Sequence, residues 1–311
     1  MKILFVESDE LLEKEARKKL AQHELYFEKS TINQVISNFN DVEVLSVFVF
    51  SKVSKDVIDR FKNLKLIVTR STGFDHIDVN YLKQKGILVC NIPGYGSVPV
   101  AEHAFALLLS GLRKIREANS SVVNNEWKTD EFEGRTIHGK TLGVLGTGSI
   151  GLNVCKIAKA FGANVIAYDI FEREKEAIEI GFKYVSFEQI LENSDIIVIA
   201  LPLTKDTYHI INEESIRKMK DGVVLINIAR GGLIDQKALT NALKSKKVAF
   251  AGLDVLEEEP PSKEDEIIKL ENVIVTPHIA WNTDYSKSFV VEKTIETIVN
   301  FLYQKPITNV V

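Results

Sequence analysis

Residues 141–151, Thr-Leu-Gly-Val-Leu-Gly-Thr-Gly-Ser-Ile-Gly, constrain this chain more than any other stretch. A short apolar run reads as a buried strand, leads into Gly146-x-Gly148-x-x-Gly151, and is followed by a helical pattern. In such a strand–turn–helix the first glycine permits the tight turn. The second lets the backbone approach a pyrophosphate, and the third lets the helix pack on the strand. The helix start then presents free N–H groups and its positive end to phosphate. The next apolar run, residues 164–168, ends at Asp169, eighteen residues beyond Gly151. That is where an acid would meet the ribose hydroxyls of NAD. A GxGxxG alone is weak evidence, but here strand, helix and acid supply its context. The motif starts at residue 146 of 311, so nearly half the chain precedes it and must form something else.

The surrounding sequence alternates strand-like and helix-like segments, which implies parallel sheets with helices on their faces. Ahead of the motif, strands are expected at 2–6, 44–50, 65–69 and 87–90, and helices at 9–21 and 55–61. Pro99 follows a loop and opens a long apolar helix over 100–115. A helix so apolar is expected to lie buried between two bodies. From residue 141 the alternation resumes, with strands near 142–146, 164–168, 195–200, 223–228, 249–253 and 272–276. Helices at 213–219, with Asn212 as cap, and at 236–244 fit between them. A last helix over 283–303 carries Phe289, Val290, Ile295, Ile298, Val299 and Leu302 at helical spacing, and is long enough to return to the first region. The expected fold is α/β: two Rossmann-like, doubly wound parallel-sheet domains with a cleft between them. One comprises residues 1–98 plus 284–311, the other 99–283 around the dinucleotide fingerprint.

Composition narrows the partners. With 45% hydrophobic and 26% charged residues, the chain has the balance of a soluble globular protein. A net charge of -4 gives no reason to expect nucleic acid or an anionic membrane. The apolar N-terminus stops at Val6, too short for a secretion signal, and no apolar run approaches a membrane span. Cys90 and Cys155 lie far apart in apolar surroundings, which reads as buried structural thiols in a reducing cytoplasm. No metal is expected.

Ligands of open α/β sheets bind beyond the carboxyl ends of the strands. Three consecutive strands here end in polar groups: 223–228 in Ala229-Arg230-Gly231, 249–253 in Asp254, and 272–276 in Pro277-His278. Each has a plainer alternative. Arg230 could be a solvated loop arginine, Asp254 a turn cap, and His278 a satisfied histidine behind a proline. Glu257 and Glu258 read as a solvated acidic loop. On one rim of a dinucleotide-binding sheet, the coincidence of all three strand ends points to chemistry.

These residues resemble the D-isomer-specific 2-hydroxyacid dehydrogenase family over nearly the whole chain. The resemblance rests on Gly146-x-Gly148-x-x-Gly151, Asp169, Asn227-Ile-Ala-Arg-Gly231, Asp254-Val-Leu-Glu-Glu-Glu-Pro260 and Thr276-Pro-His-Ile-Ala280. Arg70-Ser-Thr-Gly-Phe-Asp-His-Ile-Asp78 and Asn91-Ile-Pro-Gly-Tyr95 match upstream. Tyr95 and the aromatic Trp281 make it most similar to the D-lactate dehydrogenase branch. The resemblance implies an NAD-dependent enzyme in which His278 exchanges the proton of the carbonyl oxygen and Glu259 orients it, while Arg230 grips the carboxylate and polarises the ketone. It places Thr72, Gly73 and Tyr95 at the substrate, with Phe50 and Trp281 as further pocket walls favouring a small acid. Ser149 and Ile150 would lie at the pyrophosphate, Pro202 and Thr207 along the dinucleotide, Ala229 near the nicotinamide, and Asp254 at its carboxamide. Thr207 could equally be a helix cap, and Gly73 a plain turn glycine. Ser149 stands where many members carry Arg, which removes a charged pyrophosphate contact. Asp169 argues for NAD over NADP, and Arg173, four residues on, could blunt that choice or simply be solvated.

The expected partner is a small 2-oxo or 2-hydroxy acid, pyruvate or D-lactate first, in a homodimer with the helix over 100–115 at its interface. The alternatives are a glyoxylate or hydroxypyruvate reductase, or a D-3-phosphoglycerate dehydrogenase, for which Arg70 is the nearby cation that could meet a phosphate, or could as well be a strand-end residue facing solvent or a salt bridge. From another class comes an NAD-sensing, corepressor-like binding protein, which could keep the same residues.

Overall fold

Short aliphatic runs bounded by polar turns form the strands in this computed structural model, which describes residues 1–35, 39–308 and 310–311. The chain divides into two compact units, Met1–Gly96 with Asn282–Val311, and Ser97–Trp281. The first opens with β1 (Lys2–Phe5), α1 (Glu10–Lys19), β2 (Glu24–Phe27) and β3 (Val44–Val47). It continues with α2 (Lys55–Ile58), β4 (Leu66–Thr69), α3 (Val79–Gln84) and β5 (Leu88–Cys90). The strands form one parallel sheet in the order β2-β1-β3-β4-β5. Every residue of β3 and β4 is buried, as expected of strands covered on both faces. Strand β2 was not expected: Glu-Leu-Tyr-Phe is a half-exposed edge, with no full alternation to betray it.

The second unit begins with α4 (Pro99–Leu112) and α5 (Ile115–Val123). The single helix expected over 100–115 is therefore broken. Gly111 is a poor helix residue near the end of α4, and Lys114 takes a left-handed φ of 48° before α5 starts. The apolar face of α4 packs within its own unit, on β11 (Val248–Leu253) and on α6 (Ser149–Ala160). Between these lie β6 (Thr141–Leu145), β7 (Asn164–Tyr168), α7 (Glu174–Ile180), β8 (Lys183–Tyr184) and α8 (Phe187–Asn193). There follow β9 (Ile196–Ile199), α9 (Glu213–Lys218), β10 (Val223–Asn227), α10 (Gln236–Lys244) and, after β11, β12 (Val273–Val275). The parallel sheet runs β12-β11-β10-β9-β6-β7-β8. Its order reverses between β6 and β9, the switch point where doubly wound sheets bind ligands. The edge strand β8, only two residues long, escapes any periodicity argument.

The chain then re-enters the first unit through α11 (Asp284–Leu302), which packs on α1 and β4. The Thr283 hydroxyl caps it by accepting from Ser286 N at 3.1 Å. Among the described residues no helix is long and apolar enough to cross a membrane, and no cluster of His, Cys, Asp and Glu could hold a metal. Both cysteines are buried; burial pushes the Cys90 thiol up to about 11 and Cys155 up to about 12.

Candidate active site

The glycine-rich turn fits a dinucleotide for reasons visible in its packing. Gly146 follows β6 at φ 93°, and a Cβ there would lie 2.7 Å from the Ala200 carbonyl oxygen. A Cβ on Gly151 would lie 1.9 Å from the Gly146 oxygen, so α6 can approach the turn this closely only without a side chain. Gly148 is different. It caps α6, and a Cβ there would meet nothing within 4 Å. The protein's own packing does not demand that glycine, yet its bareness leaves open space at a helix N-terminus, as a pyrophosphate requires. Ser149 and Ile150 are the first two residues of that helix.

Asp169 leaves the end of β7 with its carboxylate already oriented. One oxygen accepts from the Thr147 N–H at 2.6 Å and the Thr147 hydroxyl at 3.1 Å, and the other from the Phe171 N–H at 3.0 Å. After β9, Thr207 is not a helix cap. Its hydroxyl donates to the Pro202 carbonyl at 2.7 Å and accepts from Thr204 N at 2.8 Å, so it locks the loop over 202–207 onto itself.

Three further strand ends meet through close backbone contacts. The buried Asn227 ends β10; its side chain accepts from Ala229 N at 3.1 Å and donates to the Arg230 carbonyl at 2.9 Å. A Cβ on Gly231 would lie 1.9 Å from the Leu256 oxygen, which brings the loop after β10 against the loop after β11. Arg230 donates from Nη1 to the Ala229 carbonyl at 2.7 Å. Asp254 is 1% exposed, and its carboxylate accepts from the Thr276 hydroxyl at 2.6 Å and from Ile279 N and Ala280 N at 2.9 Å. That grip holds the turn after β12, where His278 takes a φ of 54° and donates from its amide to both the Asp254 and Thr276 carbonyls at 2.9 Å. A left-handed histidine is tolerable only when its neighbours over-determine it.

The turn aims His278 at Glu259. Its Nδ1 lies 2.8 Å from Glu259 Oε2, and Leu256 N donates to Glu259 Oε1 at 3.1 Å. Burial alone would push the Glu259 carboxyl up. The hydrogen bond and charge of His278, the Leu256 amide and the Arg230 cation outweigh it and hold the carboxyl below the usual range. An ionised carboxylate can only accept, so the bonded Nδ1 carries the proton and Nε2 is the nitrogen left for a ligand. Trp281 donates from its indole to the His278 carbonyl at 3.1 Å and so supports the same turn from the other side.

Some of the site was not foreseen. Glu257 is exposed, as expected of a solvated acid, but it has a partner: it pairs with His209 at 2.6 Å, and its amide donates to Gln236 Oε1 at 3.2 Å. His103 of α4 lies 3.0 Å from the Thr276 hydroxyl and 3.5 Å from Asp254, a partner whose helical setting gave no polar signal. Tyr184 sits 2.8 Å from the Thr147 hydroxyl, on the strand that sequence periodicity misses.

In the first unit, Thr72 and Gly73 belong to a loop fixed from within. Thr72 donates to the Ile92 carbonyl at 3.2 Å, Ser71 to the Gly73 carbonyl at 2.7 Å, and Asn91 to the Thr72 carbonyl at 2.8 Å. Tyr95 is buried, and Phe50 is exposed. Arg70 does not face solvent. It donates to Ser46 Oγ at 2.8 Å and to the Val6 and Glu7 carbonyls at 2.7 and 2.9 Å, and burial lowers its guanidinium to about 10.

A glycine-lined helix N-terminus, an oriented carboxylate at the end of the next strand and a histidine–carboxylate pair on one sheet rim are the parts of a dinucleotide-dependent oxidoreductase. Residues 105–280 match the D-isomer specific 2-hydroxyacid dehydrogenase, NAD binding domain. The chain is 41% identical to the hydroxypyruvate reductase of Thermotoga maritima over 93% of its own length and 92% of that protein. It is 43% identical to the D-3-phosphoglycerate dehydrogenase of Archaeoglobus fulgidus over 89% of its length, but spans only 53% of that longer protein. The D-lactate dehydrogenase of Aquifex aeolicus, solved with NAD and lactic acid, superposes with a TM-score of 0.90 at 37% identity, covering 97% of this chain and 96% of that one. The chain belongs to the D-isomer specific 2-hydroxyacid dehydrogenase family, whose members are NAD-dependent oxidoreductases acting on the CH–OH group of 2-hydroxyacids.

Proposed function

We propose that this chain is an NAD-dependent D-2-hydroxyacid dehydrogenase that interconverts a small 2-oxo acid and its D-2-hydroxy acid, pyruvate and D-lactate being the favoured pair. The observation that carries this reading is the His278–Glu259 pair at 2.8 Å on the rim that also bears Arg230. NAD would be held by the glycine-rich turn, Asp169, Pro202, Thr207, Ala229 and Asp254, and its nicotinamide would supply or accept the hydride. His278 holds a proton at Nε2 for the carbonyl oxygen in reduction and takes it back in oxidation. Glu259 fixes the tautomer and steadies the charged imidazole. Arg230 offers a planar, two-pronged cation to the carboxylate and draws charge from the ketone. Thr72, Gly73 and Tyr95 complete the grip on the acid, with the 71–73 loop supplying backbone N–H groups.

Identity to a hydroxypyruvate reductase makes that substrate the second reading. A phosphorylated substrate is disfavoured by Arg70, whose guanidinium is committed to three internal acceptors. The chain works as a homodimer through Ile115, Val122, Val123 and Trp127, apolar side chains on and just after α5 that are more than half exposed. With α4 occupied in its own unit, α5 replaces it as the surface for self-association. Two buried thiols with raised pKa values suit a reducing compartment. Purified protein should consume NADH with the highest kcat/KM for pyruvate over glyoxylate, hydroxypyruvate and phosphohydroxypyruvate. Failure on all four would end the enzymatic reading, and a best substrate other than pyruvate would end the lactate assignment alone.

A further inference from the structure

Four groups around Asp169 form a hydrogen-bond chain whose direction is forced. The Arg173 backbone N–H lies 2.9 Å from the Tyr184 hydroxyl, that hydroxyl 2.8 Å from the Thr147 hydroxyl, and the latter 3.1 Å from Asp169 Oδ2. An amide can only donate and a carboxylate can only accept. Each hydroxyl has one proton. Thr147 gives its proton to Asp169, so Tyr184 donates to Thr147 and accepts from Arg173. Every donor along the relay therefore points toward the carboxylate, and aligned donors of this kind strengthen one another. Thr147 is 1% exposed and donates a second time to Asp169 through its amide at 2.6 Å. Tyr184 is delivered by β8, paired beside β7 with Ala167 opposite Tyr184, and steadied edge-on by Phe182 at 5.3 Å.

The relay has two ends, and both concern the ribose. One fixes the Asp169 carboxylate at the end of β7. The other pins the backbone of Arg173, the residue that starts α7 and carries the first cation after Asp169. We propose that Thr147 and Tyr184 are the positioning residues that make this chain select NAD over NADP, an inference that rests on the NAD-binding reading above. With the relay intact, the carboxylate faces the ribose hydroxyls and repels a 2′-phosphate, while Arg173 is kept at the start of its helix. With the relay cut, the carboxylate turns more freely and the 169–173 segment can bring its arginine to a 2′-phosphate. NADH then binds more weakly and NADPH more tightly.

The test is equilibrium binding of NADH and NADPH, followed by nucleotide fluorescence, without turnover. Wild-type protein should bind NADH more tightly. Tyr184→Phe keeps the ring and its packing but removes one acceptor and one donor; Thr147→Val removes the hydroxyl at constant volume. Thr147→Val should narrow the NADPH-to-NADH ratio of dissociation constants about tenfold, the scale of a lost hydrogen bond to a charged group, and Tyr184→Phe, which loses only neutral hydrogen bonds, about fivefold. Thr147→Ser keeps the hydroxyl and should restore the wild-type ratio. A ratio unchanged in both Tyr184→Phe and Thr147→Val overturns the proposal, including the case where both affinities fall by one factor, as a merely structural role predicts. Wild-type protein that does not bind NADH would instead bring down the dinucleotide reading, and this inference with it.

Discussion

The two units are wound by the same rule and use their strand ends in opposite ways. In the first, polar groups at the ends of β1, β4 and β5 turn inward. Glu7 accepts from Phe48 N, Phe50 N and Ser51 Oγ, Arg70 donates to three internal oxygens, and Asn91 holds the Thr72 carbonyl. In the second, Asp169, Arg230 and His278 at the ends of β7, β10 and β12 stay partly exposed, braced by Thr147, Asn227 and Thr276, while Asp254 after β11 is buried and holds the His278 turn. The first unit therefore ties its strand-end loop from within, and the second keeps three ionisable side chains partly exposed at its strand ends. A parallel sheet fixes where ligands bind, whereas the side chains beyond its strands decide whether anything reacts.

The largest test of that division is His278→Ala. Loss of the acid–base group should lower kcat/KM for 2-oxo acid reduction about 10⁴-fold while NADH affinity stays within a factor of about two. Full turnover would move the chemistry elsewhere. Glu259→Gln should follow at about 10³-fold, since an amide neither fixes the Nδ1 proton nor steadies the charged ring. This variant also carries a pH signature. The wild-type carboxyl is held below its ordinary 4.5. Its contribution to stability is thus complete above that value and is lost as pH falls through the lower folded value. Urea midpoints of wild type and Glu259→Gln should accordingly differ at neutral pH and converge in acid. A gap that widened as pH fell would refute the pairing.

Much of the second unit was legible because its signals are local. The glycine spacing, the acid after the next strand and three polar strand ends are short-range patterns, and all of them fall at the strand ends of one sheet. What escaped was long-range or very short. Tyr184 reaches Thr147 across 37 residues from a two-residue strand, and His103 meets Thr276 across 173. Glu257 is solvated as its acidic loop implies, but its partner His209, 48 residues away, leaves no local sign. Arg70 is undecided in sequence for the same reason. A strand-end arginine reads equally as a phosphate contact or as a solvent-facing or salt-bridged residue, and two of its actual acceptors are backbone carbonyls that leave no mark in sequence.

Arg70→Met tests the inward-turned unit. It leaves the Val6 and Glu7 carbonyls and the Ser46 hydroxyl without their donor. The loss should destabilise the first unit by about 3 kcal/mol, read as a lower thermal midpoint. The ratio of kcat/KM between phosphorylated and unphosphorylated hydroxypyruvate should not move in whatever folded protein survives. A selective loss of the phosphorylated substrate would show that Arg70 recognises phosphate after all.

The smallest effect concerns assembly, proposed above to run through α5 of the second unit. Trp127 is 85% exposed and Val123 71%. Neither holds the protomer together, so Trp127→Ser should leave monomer stability within about 0.5 kcal/mol. If these side chains are instead covered by a second copy of the chain, the tryptophan is the residue type most able to dominate that contact. Its removal should then weaken the dimer by about 2 kcal/mol, some thirtyfold in dissociation constant by sedimentation. Kinetics at concentrations above that constant should stay unchanged, because none of the residues proposed to hold NAD or the acid lies on α5 or at Trp127. Wild-type protein that sediments as a monomer would remove the interface. A Trp127→Ser dimer as tight as wild type would move it off α5.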